Sequence, residues 1–173
     1  MPIARTITAE RITVEDFAPF GTVIRAEGKY HDANQGTAQR FDRIAEVNNL
    51  RPTSATLNLA VFRCSPQKVE AFEVKLLEKH PHSTQVFIPM ATSRYLVIVA
   101  EAAADRDAPD LSTVRAFIVS GSKGVAYLPG CWHHPIIALD ERLDFSCLVW
   151  EDASAGDCVV HPIRGDEITV HII

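Results

Sequence analysis

The feature that most limits what this chain can fold into is its punctuation. Beyond about residue 20, short apolar runs alternate with turn chemistry, and no stretch keeps a helical period. Strand candidates are Gly21–Arg25, Thr56–Cys64, Val69–Glu78, Gln85–Pro89, Arg94–Glu101, Thr113–Ser120, Gly124–Leu128, Ile136–Leu139, Asp144–Trp150 and Glu167–Ile172. Between them lie Ser65-Pro66, Ala108-Pro109-Asp110, Gly121-Ser122-Lys123-Gly124, Pro129-Gly130, Gly156-Asp157 and Arg164-Gly165-Asp166, all rich in turn-forming residues. Many short strands without intervening helices predict an all-β sandwich or barrel. One short helix is expected near the start, where Thr13 caps Val14-Glu15-Asp16-Phe17 and both acids fall in the first turn. No repeat, linker or low-complexity tract divides the chain, so residues 1–173 read as one domain.

A chain of 173 residues can bury a core without disulfide or metal support. Its net charge of −5, with Lys and Arg scattered, argues against a nucleic-acid surface. No apolar run approaches the ~20 residues that span a bilayer. Met1-Pro2-Ile3-Ala4-Arg5 lacks the apolar stretch of a secretion signal, so a cytoplasmic location is expected. Cys64, Cys131, Cys147 and Cys158 form no Cys-x-x-Cys pair and read as small buried hydrophobes in a reducing compartment.

Chemistry concentrates in two segments, Tyr127-Leu128-Pro129-Gly130-Cys131-Trp132-His133-His134-Pro135 and His80-Pro81-His82-Ser83-Thr84-Gln85. Both lie between strand-like runs, so a β barrel would bring them face to face. In the stretch 69–82, Phe72, Val74 and Leu76 share a parity with Glu78, His80 and His82. An unbroken strand would carry that face from apolar to ionisable, although Pro81 limits how far it extends. His80 and His82 form a His-x-His pair able to share a divalent ion, with His133 as a third imidazole for it. On an extended strand His133 and His134 point to opposite faces; His133 is the expected ligand or base. His134 and Trp132 are either substrate contacts or packing groups. Within the long polar segment Ala26–Arg43, Asn34 and Arg40 are candidate substrate contacts, since a guanidinium can clamp a carboxylate through two parallel hydrogen bonds.

Gly124-Val125-Ala126-Tyr127-Leu128-Pro129-Gly130-Cys131-Trp132-His133 resembles the second motif of the cupin superfamily, and the segment 80–85 resembles the first. The acid of that first motif would fall at Val86 or Phe87, which leaves Gln85 as the nearest polar group. A closer likeness comes from Asn34-Gln35-Gly36-Thr37-Ala38-Gln39-Arg40-Phe41, His80-Pro81-His82-Ser83-Thr84-Gln85-Val86-Phe87-Ile88-Pro89-Met90, Pro109-Asp110-Leu111-Ser112-Thr113-Val114-Arg115-Ala116-Phe117 and Trp132-His133-His134-Pro135. In that order these blocks resemble the ureidoglycolate lyase family, formerly called ureidoglycolate hydrolase. The resemblance implies a cupin-type double-stranded β-helix, or jelly-roll barrel, assembled as a homodimer. It implies cleavage of ureidoglycolate to glyoxylate and urea in allantoin (purine) degradation, with a divalent metal, often nickel, and no organic cofactor. His80, Gln85 and His133 are the catalytic residues it carries over. On the residues alone two alternatives stay open: a hydrolase of the same substrate releasing ammonia and CO2, and a non-catalytic cupin that binds a small carboxylic acid.

Overall fold

Two mainly antiparallel sheets face one another across an apolar core. The first has five strands in the order Gly21–Ile24, Gly124–Tyr127, Gln85–Pro89, Leu143–Glu151 and Thr56–Cys64. The second runs Val159–Pro162, Leu76–Lys79, Trp132–His133, Tyr95–Ala100, Arg115–Val119 and Glu10–Arg11, and Ile137–Ala138 also pairs with Tyr95–Ala100. Phe87, Val125 and Phe145 from the first sheet meet Val97, Val99 and Phe117 from the second. This is the all-β arrangement of facing sheets expected. The computed structural model describes residues 4–105, 107–164 and 167–173; of the turn expected at Arg164-Gly165-Asp166, Gly165 and Asp166 lie outside the described residues.

A third sheet, Arg5–Thr8, Ile168–His171 and Ala71–Glu73, covers the back of the second and closes another core around Leu96, Ile98, Trp132 and Val170. Its presence explains the sequence Tyr-Leu-Val-Ile-Val-Ala at Tyr95–Ala100. Both faces of that strand are covered, so all six residues are buried and none is polar at a solvent face. Leu143–Glu151 has only one covered face and alternates accordingly. At the N-terminus Thr13 Oγ1 accepts the Asp16 N–H at 3.0 Å and starts the expected helix Val14–Phe17, which seats Phe17 in the front core.

Three local expectations are corrected. The run Val69–Glu78 is two strands, Ala71–Glu73 and Leu76–Lys79, which belong to different sheets. Val74 and Leu77 stand an odd number of residues apart, yet both lie in the back core, so alternation breaks between them. Phe72 and Val74 therefore do not share a face with Glu78 and His80. Part of Ala26–Arg43 is ordered as a hairpin, His31–Ala33 with Ala38–Arg40. The cysteines are free but not uniformly buried: Cys147 is buried, Cys64 and Cys131 are partly so, and Cys158 is exposed.

Candidate active site

Strand register decides which side chains enter the barrel, because residues directly opposite on neighbouring strands share a face. In the second sheet Val99 lies opposite His133, and His133 opposite Glu78. Val99 belongs to the front core, so His133 and Glu78 face it too. In the first sheet Tyr127, Gln85 and Val149 are aligned, with Val149 and Tyr127 in the same core. Glu78, His133, Gln85 and Tyr127 thus look into one interior from opposite walls.

The two motif segments are fastened together by the turn that the Pro-Gly pair dictates. The Cys131 N–H donates to the Leu128 carbonyl at 3.0 Å, with Pro129 second and Gly130 third at φ +78°. These are the marks of a type II turn, where the third position favours glycine. The Gly130 N–H then donates to the His80 carbonyl at 2.9 Å, tying His80 to the turn that leads to His133.

Each site imidazole is fixed through one ring nitrogen. His80 Nδ1 lies 2.8 Å from the Asp157 carbonyl, and His133 Nδ1 lies 2.9 Å from the Cys131 carbonyl. A carbonyl oxygen only accepts, so both Nδ1 atoms carry the proton and both Nε2 atoms present a lone pair in the neutral form. Those two Nε2 atoms are buried and have no hydrogen-bond partner. His80 is 8% exposed and His133 1%, and their rings stack at 5.6 Å. An orphaned polar atom in such a place costs free energy unless something else satisfies it.

The carboxylate absent after His82 is provided from before His80. Glu78 Oε1 lies 3.6 Å from His133 Nε2, an ionic contact longer than a full hydrogen bond. The other oxygen, Oε2, lies 3.7 Å from Cys158 Sγ. Donor atoms of Glu78, His80 and Cys158 fall within 4.8 Å of one another. Burial alone would raise the Glu78 carboxyl, but His133 and His80 beside it bring it below the ordinary value, so it stays ionised. Burial, helped by the neighbouring His133, lowers the His80 imidazole. Burial pushes the Tyr127 phenol well above its usual range and, with Glu78, pushes the Cys158 thiol up to about 11.

The other expected site residues are placed differently. The His82 ring lies against Gly156 and is not in the Glu78, His80 and Cys158 donor group. Trp132 sits one residue out of phase with His133 and is fully buried in the back core, with the Lys79 ammonium 4.5 Å from its ring centroid. His134 is edge-on to Phe72 at 5.1 Å, in a depression beside Val69 and Lys75. Asn34 and Arg40 belong to the exposed hairpin, where Arg40 Nε pairs with Asp42 at 2.8 Å, and neither bonds to His80 or His133. Gln85 is 4% exposed and its Oε1 has no partner.

A sequence profile described as ureidoglycolate lyase matches residues 4–171. The chain belongs to the ureidoglycolate lyase family. Curated relatives with that name include one from Saccharomyces cerevisiae, 39% identical over 96% of this chain and 99% of its own length. Another, from Pseudomonas syringae pv. tomato, is 36% identical over 91% of this chain and 89% of its own. A third, from Burkholderia cepacia, is 44% identical over 83% and 77% respectively.

Beyond the ureidoglycolate lyase motifs, four residues near His80 or His133 had no expected role. Glu78 had a usable signal, since it shares parity with His80 two residues on. Tyr127 lay inside the quoted motif without a role. Cys158 had none, because it arrives beside Glu78 only through the non-local pairing of Val159–Pro162 with Leu76–Lys79. Glu151, whose side chain accepts from Asn58 Nδ2 at 2.8 Å, lies close enough to influence His80 electrostatically.

The donors present fit a divalent ion. The lone-pair Nε2 of His80 is aimed into the interior with its Nδ1 proton held by a carbonyl, the arrangement usual behind a histidine ligand. An ionised carboxylate stands beside it.

Proposed function

We propose that this protein, acting as a single domain, eliminates urea from ureidoglycolate to give glyoxylate. The observation that carries the reading is the pair of buried Nε2 atoms of His80 and His133, neither with a hydrogen-bond partner, beside the Glu78 carboxylate. Family membership supports the substrate.

The substrate carries a hydroxyl and a ureido nitrogen on one carbon, next to a carboxylate. His133 Nε2 takes the hydroxyl proton as the oxygen lone pair closes to a carbonyl and the carbon–nitrogen bond breaks. The same imidazolium returns that proton to the departing nitrogen, so urea leaves neutral and no net proton is consumed. Glu78 offsets the transient positive charge on His133 from 3.6 Å. Such acid–base assistance supplies roughly 10²–10⁴ in rate. Gln85 Oε1, an acceptor without a donor, is suited to a ureido N–H. Glu78 and His80 would hold a divalent ion, nickel being the one the family resemblance implies. Bound there, it would neutralise the substrate carboxylate and acidify the hydroxyl.

Assembly as a cytoplasmic homodimer completes the reading. Leu57, Leu59 and Val61 stand 46%, 67% and 60% exposed on Thr56–Cys64, which is an edge strand, and a second copy would cover them. No helix among the described residues is long and apolar enough to cross a membrane.

The test is a product assay on fresh ureidoglycolate, corrected for spontaneous decay. Urea and glyoxylate in equal amounts are expected. Ammonia without urea would replace this reading with the hydrolase, and no turnover above the control would leave a binding protein.

A further inference from the structure

We infer that Cys158 is a thiolate ligand of the ion site, so that the chain holds its metal through Glu78, His80 and Cys158. The inference deepens the proposed lyase reading and rests on it. Two distances carry it. Donor atoms sharing one tetrahedral ion lie roughly 3.5 Å apart, given bonds of about 2.0–2.3 Å. Cys158 Sγ is already 3.7 Å from Glu78 Oε2, and all three residues offer a donor atom within 4.8 Å of the others.

The rest of the pocket agrees with this set. His80 is fastened through Nδ1 to the Asp157 carbonyl, the residue just before Cys158, so one short segment orients two of the three donors. His80 Nε2 is over nine-tenths buried and lacks any partner. His133 remains outside the trio, against the other Glu78 oxygen, and keeps its Nε2 for the substrate proton. Three protein ligands leave an open position, the pattern of catalytic rather than structural sites.

A thiolate also selects the ion. Sulfur favours nickel, cobalt or zinc over magnesium, calcium or manganese, which prefer all-oxygen surroundings. Coordination breaks the Cys158 S–H bond, forms a metal–sulfur bond and releases one proton to solvent, with no change of oxidation state.

The experiment uses metal-stripped full-length protein titrated with Co2+ and Ni2+ under argon. A near-ultraviolet sulfur-to-metal charge-transfer band is expected at one ion per chain. In Cys158→Ser the band should vanish while the ion still binds, with affinity lower by at least about tenfold, the smallest loss usual even for an outer-shell partner. In Cys147→Ser the band should persist. Stoichiometric binding without the band, or a band that survives Cys158→Ser, would overturn the assignment. Absence of urea release from the metal-loaded wild type, with the band present, would sink the lyase reading and keep the ligand.

Discussion

The imidazole of His133 lies face to face with the phenol of Tyr127, centroids 4.1 Å apart and planes 8° apart. Tyr127 comes from the first sheet and His133 from the second, so the stack spans the barrel and holds the proposed base at a fixed tilt. The Tyr127 hydroxyl has no partner and stays protonated. Tyr127→Phe keeps the stack and should leave kcat nearly unchanged. Tyr127→Leu removes it; an aromatic pair contributes about 0.5–1.5 kcal/mol, so kcat should fall roughly 2- to 13-fold. Equal rates in both variants would remove any role for the stack.

His133→Ala and Glu78→Gln test the proton path. The first should cost about 10²–10⁴ in kcat, and the second should lower kcat as well, since it removes both the charge partner of His133 and a carboxylate that would hold the ion. Circular dichroism should show the native sheet in both. Full activity in His133→Ala would move the base elsewhere.

Asp157 is a positioning residue whose carbonyl sets the His80 tautomer, and Arg51 holds that segment through its ion pairs to Asp157 and, at 2.7 Å, to Asp152. Arg51→Met should lower kcat with little change in KM, because no substrate contact is lost. A variant that changes KM alone would contradict this.

Acid should weaken the protein in a defined window. Burial lowers the His80 imidazole from its ordinary 6.5, so the unfolded chain takes up the proton first as pH falls. Stability from neutral His80 is fully present above about 6.5 and is lost as pH drops toward the folded value. The fall in urea-melt stability of the metal-free protein across that window should therefore shrink in His80→Gln. A fall of equal size in His80→Gln would argue against a buried neutral His80.

The exposed apolar strand can be broken with a charge. Leu59→Glu should elute as a monomer in size exclusion while keeping its circular dichroism. A dimer unaffected by the change would place the interface on another face.

The sequence marked strands where a face pattern or a solid apolar run was long enough. Thr56–Cys64 and Gln85–Pro89 have the bounds expected. It was silent on Trp132–His133 and Val159–Pro162, since strands this short are formed by their neighbours rather than by their own residues. His80 and His133 were legible as a pair, and alternation separated His133 from His134. The break between Val74 and Leu77 was not legible, because the sheet switch that causes it depends on pairing with Ile168–His171 and Val159–Pro162. The same non-local pairing hid Cys158. Arg40 and Asn34 attracted notice as polar groups in a long loop, but composition could not say where the hairpin would rest.

The two tryptophans sit in separate compartments. Trp132 is sealed in the back core, whereas Trp150 is half-buried, opposite Leu57 on the outward face of the first sheet, with its Nε1–H on the Val47 carbonyl at 3.2 Å. Intrinsic fluorescence from this chain is therefore a two-channel signal. If a second copy covers that face as proposed, its departure should redden the Trp150 emission while Trp132 stays blue, and only the collapse of the rear layer should release the second shift. One optical trace would thus time assembly against unfolding without any added label.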